Sequence, residues 1–315
     1  MSLDDSPVAV PRPSLRRDLN MGTTWLLPEW SSGPRGDERA VLEAAAAAGY
    51  QGIQGANPRR CRELGLVPTT FAIHPEPGGL AAQAQRWSEL GFACCTILLG
   101  TGIEDDADAD RLVEEVLEAS EVARLPLYVE THRATLTQDI WRTLRLVERF
   151  PDLRFNADLS HWYTGHDLGS RDRGEVLELL APVLDRVRYV HGRIGTSGCM
   201  QVDVGESGDG ADGADGAAAA VTDVRALWVR AMAGFVAGAA DDPVPAPALQ
   251  LGFAPELLPA EVGYARRFPG PDGALREECD RWDQALVLTR IAQECFDRAA
   301  GTAAGTREDV GWTST

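Results

Sequence analysis

Four side chains that can bind a metal each stand at the end of a short apolar run in the second half of the sequence. They are Glu130 in LPLYVE, Asp158 in LRFNAD, His191 in RVRYVH and Glu256 in LQLGFAPE. Carboxylate oxygens with one neutral imidazole nitrogen suit Mn²⁺, Mg²⁺ or Co²⁺, and less selectively Zn²⁺. We therefore expect these four residues to bind one divalent metal ion, with Mn²⁺ as the expected ion.

The four residues converge only in a fold that brings strand ends together. Apolar runs alternate with helix-period runs about eight times, which is the count of a closed (β/α)₈ barrel, where chemistry takes place at the carboxyl ends of the strands. We predict an α/β fold, a single-domain TIM barrel. An open doubly wound sheet is the alternative, weakened because no GxGxxG opens a helix after the first strand. The predicted strands are 22–27, 52–55, 67–73, 93–99, 127–130, 154–158, 187–192 and 248–253.

Composition divides the chain into a barrel and two termini. Residues 1–19 are polar and proline-bearing without a signal-peptide core, which predicts a disordered lead-in. Residues 20–300 form the predicted barrel, ending in an amphipathic helix over 275–300. Within it, the low-complexity segment 205–220, GESGDGADGADGAAAA, predicts a flexible acidic insertion, with a mobile lid as the alternative. Residues 301–315 are predicted to be a disordered tail.

Charge and residue usage exclude several classes of function. The net charge of −18 argues against a nucleic-acid or acidic-membrane partner, and no apolar run is long enough to span a bilayer. Six cysteines without CxxC spacing favour reduced thiols and a cytoplasmic location. The sequence contains no lysine. Schiff-base aldolases and pyridoxal enzymes are therefore excluded, because both require a lysine amine.

A second polar group accompanies three of the expected ligands. His132 lies two residues after Glu130, so both point the same way if the chain is extended. His161 and Arg193 follow the next two ligands in the segments DLSH and HGR. The histidines are expected to orient the carboxylates or to touch substrate, and Arg193 to hold a carboxylate, phosphate or enediolate oxygen, or else to form an ion pair at the barrel rim. The substrate-binding candidates are His132, Arg193, Trp25 and His74.

These motifs resemble the xylose isomerase-like TIM barrels, the superfamily of sugar isomerases and epimerases that includes endonuclease IV. D-x-x-H matches Asp158–His161, and H-x-R matches His191–Arg193. The segments ETHR and APELLP are similar to a subgroup described as sugar phosphate isomerase/epimerase. The resemblance implies that the four ligands come from the last four strands. The chain departs from true xylose isomerases, which use a lysine near the metal, and from endonuclease IV, whose three-metal cluster uses more than five histidines.

Residues and resemblance together predict a divalent-metal-dependent sugar isomerase/epimerase. Glu130 and Glu256 would remove and return the proton α to a carbonyl through an enediolate, with His161 as the third catalytic residue. A lyase or decarboxylase acting on a keto sugar or keto sugar acid is the alternative, because the same enolate can lose carbon dioxide or a leaving group. An endonuclease IV-like phosphodiesterase is disfavoured by charge and histidine count. The expected partner is a small sugar or sugar acid, and a homo-oligomer or a partner subunit is left open.

Overall fold

Eight parallel strands form a closed barrel in the computed structural model, which describes residues 12–245 and 249–304. Each strand pairs with the next along the chain, and the first pairs with the last. The predicted single-domain (β/α)₈ barrel is confirmed. The strands are β1 (Ser14–Asn20), β2 (Gly52–Gln54), β3 (Val67–His74), β4 (Cys95–Leu99), β5 (Leu127–Glu130), β6 (Phe155–Ala157), β7 (Val187–Gly192) and β8 (Gln250–Pro255).

Helices connect the strands and cover the outside of the barrel. They are α1 (Glu38–Ala47), α2 (Pro58–Glu63), α3 (Leu80–Leu90), α4 (Asp106–Ala123), α5 (Ile140–Arg149), α6 (Ser160–Gly165), α7 (Arg173–Leu184), α8 (Ala217–Gly238) and α9 (Arg281–Ala304). A hairpin of β9 (Arg267–Pro269) and β10 (Leu275–Glu277) lies between β8 and α9. One-turn 3₁₀ helices lie at Met21–Thr24, Leu168–Ser170, Ala239–Asp241 and Ala260–Val262. In the part of the chain that the structure describes, no helix is long and apolar enough to cross a membrane.

The first strand lies earlier than predicted. Residues 14–20 form β1, whereas the predicted strand 22–27 begins inside a 3₁₀ turn. The prediction of a disordered lead-in is therefore wrong for residues 14–19, and residues 1–11 lie outside the described residues. The charged sequence SLRRDLN resembles a solvated segment, yet Arg16 and Asp18 pair at 2.7 Å in the barrel interior while Leu15 and Leu19 pack outward. Pairing makes the buried charges tolerable.

Two further boundaries differ from the sequence prediction. The segment 205–220 contributes its last four residues to α8, so the insertion is shorter than predicted. The remaining loop packs against α9, where Arg290 donates to the carbonyl oxygens of Glu206 and Ser207. Helix α9 begins at Arg281 because Leu275–Glu277 belong to β10, and it continues to Ala304 inside the predicted tail. Residues 305–315 lie outside the described residues, and the mobility of the insertion stays a prediction.

The barrel interior is polar, unlike the aliphatic filling that is usual for this fold. Side chains alternate along each strand, so one set faces the helices and the other faces the interior. The outward set joins a large apolar core. Inward-facing amides and hydroxyls are almost completely buried; among them are Asn20, Gln54, Thr96 and Asn156. A floor of polar groups therefore lies beneath the carboxyl ends of the strands.

Candidate metal centre

The four expected ligands converge at the carboxyl mouth of the barrel. Glu130 ends β5, His191 lies in β7, and Asp158 and Glu256 directly follow β6 and β8. Each offers a ligand atom, and these atoms all lie within 4.8 Å of one another. The side chain of Glu256 is 16% exposed, whereas the other three are at most 2% exposed. The fold thus assembles a buried group of three carboxylates and one imidazole.

Arg193 is the cation of this cluster. Its Nη2 lies 2.7 Å from Asp158 Oδ2 and also donates to Glu256. With the neutral imidazole that metal binding requires, three carboxylates and one guanidinium leave two uncompensated negative charges. Carboxylates crowded in a buried site require further positive charge, because desolvation otherwise disfavours their ionised form. One divalent cation supplies the two positive charges that would compensate them.

The pKa shifts follow from this excess of negative charge. Burial alone would lower the pKa of His191, but the charges of Glu256 and Glu130 raise it to about 9. Burial also raises the pKa of Glu256, with further contributions from Glu130 and Asp158 that oppose His191 and Arg193. Asp158 differs, since the charge of Arg193 and the hydrogen bond from Ser160 overcome the effect of burial and lower its pKa to about 2. The cluster therefore attracts positive charge onto His191 and keeps Asp158 ionised.

The donor set fits a divalent metal ion. His191 Nδ1 is buried and lies 3.3 Å from Glu130 Oε1 and 3.5 Å from Glu256 Oε2, yet forms no hydrogen bond of acceptable geometry. A buried nitrogen without a partner is costly unless another species binds it. A nitrogen facing two carboxylates is the arrangement that a metal ion uses. The structure thus contains residues that can bind a metal, while the identity of the ion stays a prediction.

Two more predicted residues join the cluster. The rings of His132 and His161 contact each other at a tilt of 51° with their centroids 4.0 Å apart, and His161 Nε2 lies 3.4 Å from Asp158 Oδ2. Burial lowers the pKa of His161 to about 2, despite the opposing charge of Asp158. His161 is therefore neutral at physiological pH, and both of its buried nitrogens lack hydrogen-bond partners. Glu130 also forms a second group of ligand atoms with these two histidines, again within 4.8 Å.

The structure does not bring His74 or Trp25 into this group. His74 Nε2 lies 3.0 Å from Glu115 Oε2 in α4, so its side chain faces the helix layer. Trp25 follows the 3₁₀ turn after β1 with its side chain 48% exposed, unlike the buried ligands. The outward contact of His74 does not support a role in substrate binding, and the predicted role of Trp25 stays a prediction.

Several residues at the site were missed by the sequence analysis. Tyr264, in the loop after β8, lies 4.3 Å from the guanidinium carbon of Arg193, measured from its ring centroid, and its hydroxyl lies 3.3 Å from His132 Nε2. Asn20 and Gln54 reach the ligands from below. Polar residues at alternating positions indicate that a strand has one polar face, but only the strand register shows that this face is the barrel interior. The position of Tyr264 depends on a long loop and had no comparable signal.

Comparison with protein-family models and with curated proteins gives no match. Among solved structures, endonuclease IV from Thermus thermophilus has 19% identity and a TM-score of 0.46, over 89% of this chain and 99% of that one. A sugar phosphate isomerase/epimerase from Parabacteroides distasonis has 12% identity and a TM-score of 0.45, over 92% and 99%. The probable 3-DHS dehydratase AsbF from Bacillus anthracis has 14% identity and a TM-score of 0.44, over 58% and 75%.

These names include the groups that the sequence motifs resemble. The barrel itself is established by the strand order of this chain, in which eight parallel strands pair in sequence and close.

Proposed function

We propose that this protein is a divalent-metal-dependent isomerase or epimerase that acts on a small polyhydroxylated carbonyl compound. The observation that carries the proposal is the convergence of Glu130, Asp158, His191 and Glu256, with a buried His191 nitrogen that has no hydrogen-bond partner. When bound there, a divalent cation would supply Lewis-acid stabilisation of a developing enediolate. The absence of lysine is consistent with this chemistry, because Schiff-base activation of a carbonyl is excluded.

The two glutamates are suited to moving a proton. They belong to β5 and the end of β8, which β6 and β7 separate around the barrel, so they approach the centre from different sides. A group on each side of a planar enediolate can remove a proton from one face and return it to the other. Burial raises the pKa of Glu256, and a raised pKa brings a carboxyl group closer to the range in which it exchanges protons at neutral pH.

The surrounding residues hold these groups in place. Arg193 binds both Asp158 and Glu256, which fixes the two carboxylates relative to each other. His161, neutral and buried, is placed to donate a hydrogen bond to a substrate oxygen without adding charge. Tyr264 packs over Arg193, and the side chains of Arg193 and Asp158 are fully buried. Exclusion of water strengthens each electrostatic interaction inside the site.

Solvent hydrogen exchange tests the proposal directly. Mn²⁺-loaded protein is incubated in D₂O with dihydroxyacetone, common ketoses and keto sugar acids, and deuterium uptake is followed by mass spectrometry. We expect uptake at one carbon, lost on chelation and in Glu256→Gln, and retained in the surface control Glu89→Gln, whose side chain is exposed. Equal exchange in Glu256→Gln, or no Mn²⁺ binding by the wild type, would refute the proposal.

The same incubation separates the related chemistries. Uptake with an unchanged carbon skeleton supports an isomerase or epimerase. Release of carbon dioxide or of a leaving group instead identifies a lyase, which shares the enolate. Cleavage of abasic DNA without sugar exchange identifies a phosphodiesterase, against the net charge of −18.

A further inference from the structure

The orientation of one side-chain amide beneath the metal centre is fixed by a backbone group. The amide N–H of Gly22 donates to Asn20 Oδ1 at 2.7 Å. A backbone N–H is only a donor, so the atom that it meets must be the oxygen of Asn20. The Nδ2 of Asn20 therefore faces the other way, toward β2 and β8, and the hydrogen-bond network alone settles which way this amide points.

The second amide is fixed by the first. Asn20 Nδ2 lies 2.8 Å from Gln54 Oε1 and 2.9 Å from Glu256 Oε1, so its two hydrogens meet two acceptors. A reversed Gln54 would place two NH₂ groups against each other. Its Nε2 instead donates to Thr96 Oγ1 at 3.1 Å. Gln54 thus presents its oxygen to the centre.

That oxygen determines which nitrogen of His191 carries a hydrogen. His191 Nε2 lies 2.7 Å from Gln54 Oε1, which only accepts hydrogen bonds, so Nε2 carries the hydrogen of the neutral imidazole that can bind a metal. Nδ1 then faces the carboxylates of Glu130 and Glu256. A chain of hydrogen bonds therefore runs from the Gly22 N–H through the two amides to Nε2 of His191.

We propose that Asn20 and Gln54 are positioning residues. They select Nδ1 of His191 as the metal-binding nitrogen, and Asn20 holds the carboxylate of Glu256 beside it. The proposal rests on the metal centre proposed above. Partners that orient a ligating histidine strongly affect metal affinity. A neutral amide does so without adding negative charge to a cluster that already has three carboxylates. Neither residue is a catalytic residue, because neither is placed to touch the reacting atoms.

Affinity for Mn²⁺ tests the role of Gln54. Removing the acceptor in Gln54→Met should weaken Mn²⁺ binding about 10- to 100-fold, by analogy with other partners of ligating histidines. Gln54→Glu keeps an acceptor for His191 and should bind Mn²⁺ at least as tightly as the wild type. Thr96→Val leaves both donors to Gln54 Oε1 in place and should bind within a few-fold of the wild type. Gln83→Met, on the exposed face of α3, is the control for loss of an amide.

Melting temperatures measured with chelator separate positioning from stability. Gln54→Met and Thr96→Val each break the buried hydrogen bond between Gln54 and Thr96 and should both melt lower. A purely structural role would lower Mn²⁺ affinity in both, whereas positioning lowers it only in Gln54→Met. Titration is by electron paramagnetic resonance of free Mn²⁺. Equal affinity in Gln54→Met and the wild type would overturn the inference, while a wild type that binds no Mn²⁺ would overturn the metal centre itself.

Nuclear magnetic resonance provides a second test on the unaltered protein. Zn²⁺ is used because it is diamagnetic, and the histidines are labelled with ¹⁵N. Long-range ¹H–¹⁵N spectra should show His191 with a hydrogen on Nε2 and a metal-shifted Nδ1, assigned by its loss in His191→Gln. A His191 with its hydrogen on Nδ1 and the metal shift on Nε2 would refute the proposed selection, whatever the affinities of the variants.

Discussion

Two ionic clusters are buried in the same barrel, and they differ in how completely their charges are compensated. The floor pair, Arg16 and Asp18, lies near the amino ends of the strands. Arg16 donates from Nε and Nη2 to both oxygens of Asp18, each at 2.7 Å, and the Tyr189 hydroxyl donates to the same carboxylate at 2.8 Å. One cation thus meets one anion with bidentate geometry.

The mouth cluster, Glu130, Asp158, His191, Arg193 and Glu256, is built differently. One guanidinium contacts two of the three carboxylates, and buried nitrogens of both His191 and Arg193 lack hydrogen-bond partners. A sequence selected only for stability would not retain such groups, since each unsatisfied polar atom costs free energy. The floor pair therefore serves the fold, and the incomplete compensation at the mouth indicates a site that is completed by a ligand.

The largest expected effect is a loss of activity, which we expect for a variant of the mouth cluster and not for a variant of the floor pair. Glu256→Gln should lower the rate of hydrogen exchange about 10²- to 10⁴-fold, because it removes an acid/base group and weakens the metal site. The fold should persist, as judged by circular dichroism. A variant of the floor pair, Asp18→Asn, should retain the exchange rate per folded molecule. Similar losses of activity in both variants would remove the distinction.

The next largest effect is a loss of stability, and it is expected for the floor pair rather than for the mouth cluster. Asp18→Asn leaves the guanidinium of Arg16 buried without its charge partner, which should lower the free energy of unfolding by about 3–5 kcal/mol. Urea denaturation in the presence of chelator measures this loss. Glu43→Gln, which breaks an exposed pair with Arg39, is the control and should unfold like the wild type. If Asp18→Asn were as stable as the wild type, the floor pair would have no structural role.

Metal addition should stabilise only proteins with an intact mouth cluster. Free Mn²⁺ at a hundredfold excess over its dissociation constant should raise the free energy of unfolding of the wild type by about 2.7 kcal/mol. Asp158→Asn should lose most of this increment, since it removes a ligand. Asp18→Asn should keep the increment on a lower baseline. Stabilisation of Asp158→Asn equal to that of the wild type would place the metal elsewhere.

The smallest effect is expected outside both clusters, in the glycine-rich loop before α8. An ideal Cβ on Gly213 would lie 3.1 Å from the backbone nitrogen of Gly205, so removal of residues 206–212 can rejoin the chain with little displacement. The deletion loses the contacts of Arg290 with this loop and should cost about 1 kcal/mol, or a few degrees in melting temperature. Mn²⁺ affinity should not change. Arg290→Gln is the control for the lost contacts alone.

The strands that could be predicted from the sequence are those in which apolar residues predominate. The boundaries of β5 and β7 match the prediction because apolar residues predominate in both strands, which are buried on both faces in the parallel sheet. The same reasoning placed the four ligands, since each follows an apolar run. It failed at β1, where buried charges occupy the inward positions. Recognising that strand required knowledge of the pairing between Arg16 and Asp18, which only the folded barrel provides.

Alternation also explains which site residues were misplaced. Thr69 faces the interior, where its hydroxyl lies 3.4 Å from that of Tyr189. Residues 71 and 73 share that side of β3, so His74 points outward to Glu115 despite standing at the strand end. A position at the end of a strand therefore does not by itself predict that a side chain faces the barrel mouth, because the strand register must also be known. Asn20 and Gln54 were missed for the same reason. Their side chains face inward because of a strand register that the sequence alone does not determine.

The pairing of β1 with β8 determines when the metal centre can form as the chain is synthesised and folds. Asn20 and Glu256 are 236 residues apart in the chain and meet only when the last strand reaches the first. Contacts of such long sequence separation form late and slow folding, since the intervening chain must first be ordered. A nascent chain released only as far as β7 holds Glu130, Asp158 and His191 without the residue that completes the group. Capture of a metal ion by all four ligands is therefore expected only at the step that closes the barrel.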